Sequence, residues 1–125
     1  KEINGISYFG YIDTSGKTII DTQFLNAQNF QNNEAIVLKL TEELIGKNDV
    51  LGKNIVHYKY FEVVIDPDGN IHQYLTPKGF NIVLDQKYLK TPPAITSKRI
   101  SDGLYAVFSE NKKWTIIKIM NTNAF

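Results

Sequence analysis

Residues 9–16 read Phe-Gly-Tyr-Ile-Asp-Thr-Ser-Gly, and residues 60–69 read Tyr-Phe-Glu-Val-Val-Ile-Asp-Pro-Asp-Gly. In both stretches a run of β-branched and aromatic residues leads directly into an Asp-x-x-Gly turn sequence. Asp at the first position of a type I turn accepts hydrogen bonds from backbone N–H groups, and Gly at the fourth tolerates a positive φ. The two stretches therefore predict hairpin turns that end at Gly16 and Gly69, both with a positive φ.

The rest of the chain shows little helical periodicity. Its apolar residues occur in short runs rich in β-branched and aromatic types and separated by turn residues, a pattern typical of strands. One stretch, Thr41–Ile45, fits a single helical turn that Thr41 could cap and Gly46 could end. We expect an all-β fold: an antiparallel meander of repeated β-hairpins with roughly seven to ten short strands, arranged as a barrel-like sheet, a sandwich or a short solenoid.

Three blocks of sequence recur in the same order along the chain. Besides the turn sequences, residues 19–25 match residues 83–89 in the pattern apolar, apolar, Asp, polar, polar, aromatic, Leu. Residues 30–37 then match residues 100–107. Insertions in loops carry a mild free-energy cost, so uneven spacing between the blocks does not argue against a repeat.

The alignment of these blocks makes two local predictions. It places the aromatic residues Phe24 and Tyr88 at the same core position. It also equates Asn33 with Gly103, and since Asn is the residue that best replaces Gly in the left-handed region, both are expected to have a positive φ.

At 125 residues and 14.3 kDa the chain has the usual size of one domain. We assign residues 1–125 to a single β domain, with repeat one at about 6–40, an insertion at 41–55 and repeat two at about 58–108. The chain begins with Lys rather than Met, which is typical of a processed or excised piece.

A closing strand is predicted at 113–120. Residues 113–117 align with residues 8–12 and open a third, incomplete copy. Because its apolar residues do not alternate cleanly, we expect both faces of this strand to be at least partly covered, with Trp114 packed against repeat aromatics.

The quoted blocks resemble the bacterial WG repeat, also called the KWG repeat, whose pattern runs Trp-Gly-Tyr-Ile-Asp-x-x-Gly, an apolar strand, an aromatic, Ala, Phe, then Gly-Leu-Ala-x-Val. The first copy departs from it at Phe9, in place of Trp, and at Asn33, in place of Gly. The second copy has Val63 where Gly is expected, and Lys113-Trp114 resembles the start of a further unit. The resemblance implies a β-rich fold, a bacterial source and no shared catalytic residues.

Composition excludes several classes of function. The 14 Lys and Arg nearly cancel the 13 Asp and Glu, which does not favour nucleic acid or an anionic membrane as a partner. No apolar run approaches the length of a membrane span, so membrane insertion is not expected. The chain has no Cys, which removes thiolate metal sites and Cys nucleophiles but leaves the compartment open, with an exported or cell-envelope location included.

Candidate metal and catalytic residues have better structural interpretations. The sequence Asp66-x-Asp68-x-Asn70 resembles the start of a calcium loop, but its Gly comes too early, so we interpret it as a turn. His57 and His72 are the only histidines, and neither has a partner at a spacing that predicts a zinc or acid–base site. We therefore predict no catalytic residues, no metal site and no cofactor.

Aromatic residues are the remaining candidates for binding. Tyr58 and Tyr60 would lie on one face of a strand, where they could pack against neighbouring strands or form a ledge for a partner. We expect a non-catalytic binding module for a protein or glycan partner. The alternatives are a structural spacer or segment of a larger repeat array, and, less favoured, an enzyme whose site includes His57 or His72.

Overall fold

The computed structural model describes residues 1–48, 53–87, 89–108 and 112–119, with only the backbone described for 44–48 and 53–56. Tyr88 and the last predicted residue of the closing strand, Met120, lie outside the described residues. Within the described ranges all regular secondary structure is strand, which confirms the predicted all-β class. The strands are β1 (Glu2–Ile3), β2 (Ile6–Ser7), β3 (Phe9–Ile12), β4 (Thr18–Ala27), β5 (Ala35–Asn48), β6 (Lys53–Ile65), β7 (Ile71–Tyr74), β8 (Phe80–Ile82), β9 (Lys98–Ser101), β10 (Leu104–Phe108) and β11 (Trp114–Lys118).

These strands form three antiparallel sheets. The large sheet is a meander in the order β3-β4-β5-β6-β7, and β8 pairs with β6 beyond the end of β7. A small sheet has the order β11-β10-β9, and β1 pairs only with β2. The large sheet does not close into a barrel within the described residues, so the architecture is an open meander with sandwich-like packing.

Both predicted hairpin turns are present, the first between β3 and β4 and the second between β6 and β7. The Asp13 carboxylate accepts the N–H groups of Ser15 and Lys17, each at 2.9 Å, and Gly16 has φ +87°. In the second turn the Asp66 carboxylate accepts two backbone N–H groups in the same way, and Gly69 also has φ +87°. Local side-chain chemistry fixes these turns, which is why the sequence predicted them.

The prediction of a helical turn at Thr41–Ile45 is wrong. This segment lies within β5, where Thr41 is opposite Lys59 and Glu43 is opposite His57. The ladder between β5 and β6 continues to the pair Asn48↔Lys53, so the backbone groups that point toward β6 gain partners along the whole segment, which a single helical turn cannot supply. The predicted insertion is therefore, where it is described, the far end of a long hairpin.

The described residues of the block at 83–89 do not repeat the strand that its counterpart at 19–25 forms within β4. β8 ends at Ile82, and the Asp85 N–H then donates to the Val83 carbonyl at 2.9 Å in a turn. The edge of β6 that a further strand would need is already paired with β7 and β8.

The blocks at 30–37 and 100–107 have matching backbone conformations and neighbours. Asn33 has φ +65° and Gly103 has φ +69°, which confirms the predicted positive φ at both positions. After these turns, Val37 is opposite Val63, and the equivalent Val107 is opposite Thr115. Val63 and Thr115 hold the same position of the repeat alignment, so the β5–β6 and β10–β11 ladders have the same register.

Alternating residues of β5 and β6 build a core on each face of the large sheet. One face carries a cluster that includes Val37, Val63 and Phe24. On the other face, Ile36 and Val64 pack against residues of the small sheet. A third cluster on this second face joins Leu38 of β5 to residues near the N-terminus, namely Ile6, Leu25 and the half-buried Tyr8. The small sheet thus stacks on the large one with one face and leaves its other face outward.

Candidate functional site

The outward face of the small sheet carries several exposed apolar side chains. Phe108 is 41% exposed, Trp114 52% and Ile116 56%. Cross-strand pairing places Phe108 opposite Trp114 and Ala106 opposite Ile116, so their side chains share one face. We call this surface the outer face; its residues are Lys98, Leu104, Ala106, Phe108, Trp114, Ile116 and Lys118.

The opposite face of the same sheet is packed. Tyr105 and Val107 of β10 are buried, and Ile117 of β11 packs with them against Ile36 and Val64. An antiparallel sheet with one face on the core normally presents polar side chains on its other face. The outer face departs from that pattern, and exposed apolar patches of this kind mark interaction surfaces.

Contacts within the outer face hold its aromatic side chains in place. The Phe108 and Trp114 rings lie 5.1 Å apart between centroids, at an interplanar angle of 55°. The Lys98 ammonium lies 5.6 Å from the centre of the Trp114 ring, within the range of a cation–π interaction. A surface ordered in this way loses less side-chain entropy when a partner binds.

A groove of about 440 Å³ adjoins the outer face at Phe108. It runs between the segment that joins β7 to β8 and the strands β10 and β11. Its walls are formed mainly by apolar side chains and backbone: Leu75, Thr76, Pro77, Lys78, Gly79, Phe80, Val107, Phe108, Thr115 and Ile117. Phe108 therefore belongs to both surfaces, and a partner on the outer face could also reach the groove.

The candidate residues Tyr58 and Tyr60 lie on one face of β6 and are both half-buried. The Tyr60 ring stacks on Phe80 of β8 at 5.1 Å, and Tyr58 is opposite Ile82. Burial, together with the charge of Glu62, raises the pKa of the Tyr60 hydroxyl. Tyr60 thus contributes to packing, and these two residues do not belong to the outer face.

The closing strand is covered unequally on its two faces, and Trp114 packs against Phe108 of repeat two as expected. Ile117 is half-buried on the inner side, but Trp114 and Ile116 lie on the exposed side, and Trp114 contacts only the edge aromatic Phe108 among the ring pairs of the described residues. The sequence carried a signal for this: Trp114 and Ile116 have the spacing of one strand face, and Ile117 and Ile119 have that of the other.

Each histidine lies within hydrogen-bonding distance of a described side chain. His57 Nε2 lies 2.6 Å from the Asn81 amide oxygen, and His72 Nε2 lies 2.9 Å from the Asp66 carboxylate that organises the second turn. Within the part of the chain that the structure describes, no group of three or more His, Asp or Glu could hold a metal ion. No helix there is long and apolar enough to cross a membrane.

Two buried polar clusters were not predicted from the sequence. The Glu62 carboxylate accepts hydrogen bonds from Thr96 and Ser97, and the Tyr105 hydroxyl donates to Glu34. Burial, reinforced by the Glu34 carboxylate, raises the pKa of Tyr105 well above its ordinary value. Both clusters join distant segments of the chain, and a lone Glu within an apolar run is the only sequence signal for Glu62.

Comparisons of the chain with protein-family models, with curated proteins and with solved structures found no match. The WG repeat assignment therefore stays a prediction from the residues.

Proposed function

We propose that this chain is a non-catalytic β-repeat module that binds a partner protein through the outer face. The observation that carries the proposal is the exposure of Phe108, Trp114 and Ile116 on a sheet whose other face is buried against the core. Aromatic residues are enriched in protein interfaces, where they supply large contact areas at low entropic cost.

The chemistry of the outer face favours a protein over a glycan. Apart from the Lys98 and Lys118 ammonium groups, its described side chains are apolar. Recognition of a sugar hydroxyl network needs acceptors as well as donors, and an ammonium group supplies donors only. An apolar centre rimmed by charge is instead the usual anatomy of a protein interface.

The non-catalytic part of the proposal is supported by how the acidic side chains are used. Asp13 and Asp66 accept N–H groups of their own turns, and Glu62 accepts groups of the segment before β9. A catalytic carboxylate must reach a reacting atom, and these three are already bound to the protein itself.

Parallel peptide and glycan arrays test the proposal. We expect the full chain to bind a set of peptides and the Trp114→Ala variant to lose that binding by at least about tenfold, a typical effect for a central interface aromatic. Ile19→Ala is the matched control, because Ile19 is 56% exposed but lies on β4 of the large sheet. Binding to glycans alone, or peptide binding that Trp114→Ala does not weaken, would contradict the proposal.

A second candidate function is that of one segment in a larger repeat array. The shared register of the β5–β6 and β10–β11 ladders favours it, because β11 then occupies the place of the first strand of a third unit. Repeat arrays gain much of their stability from interfaces between neighbouring units. A marginal, weakly cooperative urea transition of this chain would favour the array, whereas a single cooperative transition would favour a self-sufficient binding module.

A further inference from the structure

The first strand of each repeat pairs along one of its edges with the strand that follows the Asp-x-x-Gly turn. In repeat one, β3 pairs with β4 across the first Asp-x-x-Gly turn, and in repeat two, β6 pairs with β7 across the second. β11 takes the equivalent place in the third copy and pairs with β10 on one edge. Within the described residues, nothing pairs with its other edge.

The direction of the backbone groups on that edge follows from one hydrogen bond. The Ile119 N–H donates to the Gly103 carbonyl at 2.7 Å, so it points toward β10. Backbone groups alternate in direction along a strand, so the N–H groups of Trp114, Ile116 and Lys118 point away from β10. No strand of the described residues pairs with these groups, and an edge of this kind is a template for an added strand.

The charges beside this edge have one sign. Lys98 and Lys118 are exposed on the outer face, and Lys112 is exposed just before β11. The strands of the small sheet contain no acidic residue, and the carboxylate of Asp102, in the turn between β9 and β10, is bound by Arg99 and Asn32. Among the described residues, the edge and the outer face together therefore present apolar surface with positive charge beside it.

We propose that the partner supplies an extended segment that pairs as an antiparallel strand with the free edge of β11 and carries apolar and acidic residues on the same face. Its apolar residues extend the Trp114 and Ile116 surface, and its acidic residues face Lys98 and Lys118. The antiparallel direction follows the pairing of the equivalent strands β3 and β6. A second copy of β11 fits less well, because its Lys side chains would lie beside those of the first copy and repel them.

This inference rests on the proposed function, and its first test uses two peptides. Fluorescence anisotropy compares two short labelled peptides. The first carries Val or Ile together with Asp or Glu at alternate positions, which share one strand face, and Thr at the positions between; in the second, Lys replaces the acidic residues. We expect the full chain to bind the acidic peptide at least about tenfold more tightly, and the preference to shrink in high salt. Lys118→Glu should reduce the preference several-fold. Equal binding of the two peptides would overturn the inference.

The second test separates strand pairing from side-chain contact. Ile116→Pro removes an N–H group that points to the free edge while sparing the ladder with β10, whereas Ile116→Thr keeps that group and changes a similar amount of apolar surface. We expect Ile116→Pro to bind the acidic peptide at least about tenfold less tightly than Ile116→Thr. Circular dichroism establishes that both variants are folded before they are compared.

The outcomes distinguish this inference from the proposed function. If Ile116→Pro and Ile116→Thr bind the acidic peptide equally, strand pairing is wrong, even where Trp114→Ala still abolishes binding and the outer face remains the binding surface. If Trp114→Ala leaves all peptide binding intact, both proposals are wrong.

Discussion

The Glu62 carboxylate shows how one residue can join two parts of the chain. Its side chain lies in the middle of β6 and is 1% exposed. It accepts the Thr96 N–H at 2.6 Å and the Ser97 hydroxyl at 2.5 Å, and these bonds fasten the segment before β9 to the large sheet. A buried carboxylate is tolerated here because donors from a distant segment surround it.

Replacing Glu62 tests this anchoring role. In Glu62→Gln an amide NH₂ takes the place of one acceptor oxygen, so at least one donor of Thr96 or Ser97 loses its partner. We expect the free energy of unfolding to fall by about 1–3 kcal/mol, measured by urea denaturation. Glu43→Gln changes an exposed Glu on the adjacent strand β5, and its effect should stay within about 0.5 kcal/mol. Equal effects of the two variants would show that Glu62 has no anchoring role.

The two turn carboxylates predict a dependence of stability on pH. Hydrogen bonds from the Ser15 hydroxyl and the Lys17 N–H hold the pKa of Asp13 below its ordinary value of 3.8. Burial works in the opposite direction at Asp66, but hydrogen bonds from Asn70 and His72 outweigh it and lower that pKa as well. A carboxylate with a lowered pKa in the folded state stabilises the fold fully above its unfolded pKa, and this contribution is lost as the pH falls through the folded pKa.

We therefore expect the chain to lose stability as the pH falls below about 4. The double variant Asp13→Asn, Asp66→Asn should lose less of its remaining stability over the same interval, because neither turn then takes up a proton. Urea melts across an acidic pH series measure this, with Asp21→Asn, an exposed Asp on β4, as the control. A double variant with the acid dependence of the wild type would contradict the assignment.

At the scale of the elements, the sequence predicted structure where local chemistry decides it. The two Asp-x-x-Gly turns and the positive φ of Asn33 and Gly103 depend on side chains within a few residues, and all are present. The strand at Thr41–Ile45 depends on a ladder to β6, which local propensity does not reveal. The sequence did not predict the outer face for a similar reason, because only the packing of β11 on the core decides which face of β11 stays exposed.

Deleting residues 112–125 tests the role of β11 in the small sheet. Ile117 and Ile119 pack against the buried residues Tyr105 and Val107, so the deletion exposes core surface and a new edge of β10. We expect aggregation or loss of the folded state, measured by size-exclusion chromatography and circular dichroism. Ile116→Ser, which changes an exposed side chain of β11, should remain folded and serves as the control. A soluble, folded, truncated monomer of unchanged stability would show that β11 is dispensable.

At the scale of the whole molecule, the part of the chain that the structure describes leaves the outer face exposed. The large sheet has a core cluster on each face, and the small sheet covers part of one of these two faces. The outer face and the free edge of β11 meet at Trp114, where the third copy of the repeat begins. The function proposed for the chain depends on this place being open in solution.

Amide hydrogen exchange followed by NMR measures that directly. In the free chain the N–H groups of Thr115 and Ile117, which point to β10, should be protected, while those of Trp114, Ile116 and Lys118 should exchange rapidly. Addition of the acidic peptide should then slow exchange at the latter three. If these three amides are already protected in the free chain, or if they stay unprotected with the peptide bound, β11 does not offer a free edge to a partner and the strand-pairing proposal is wrong.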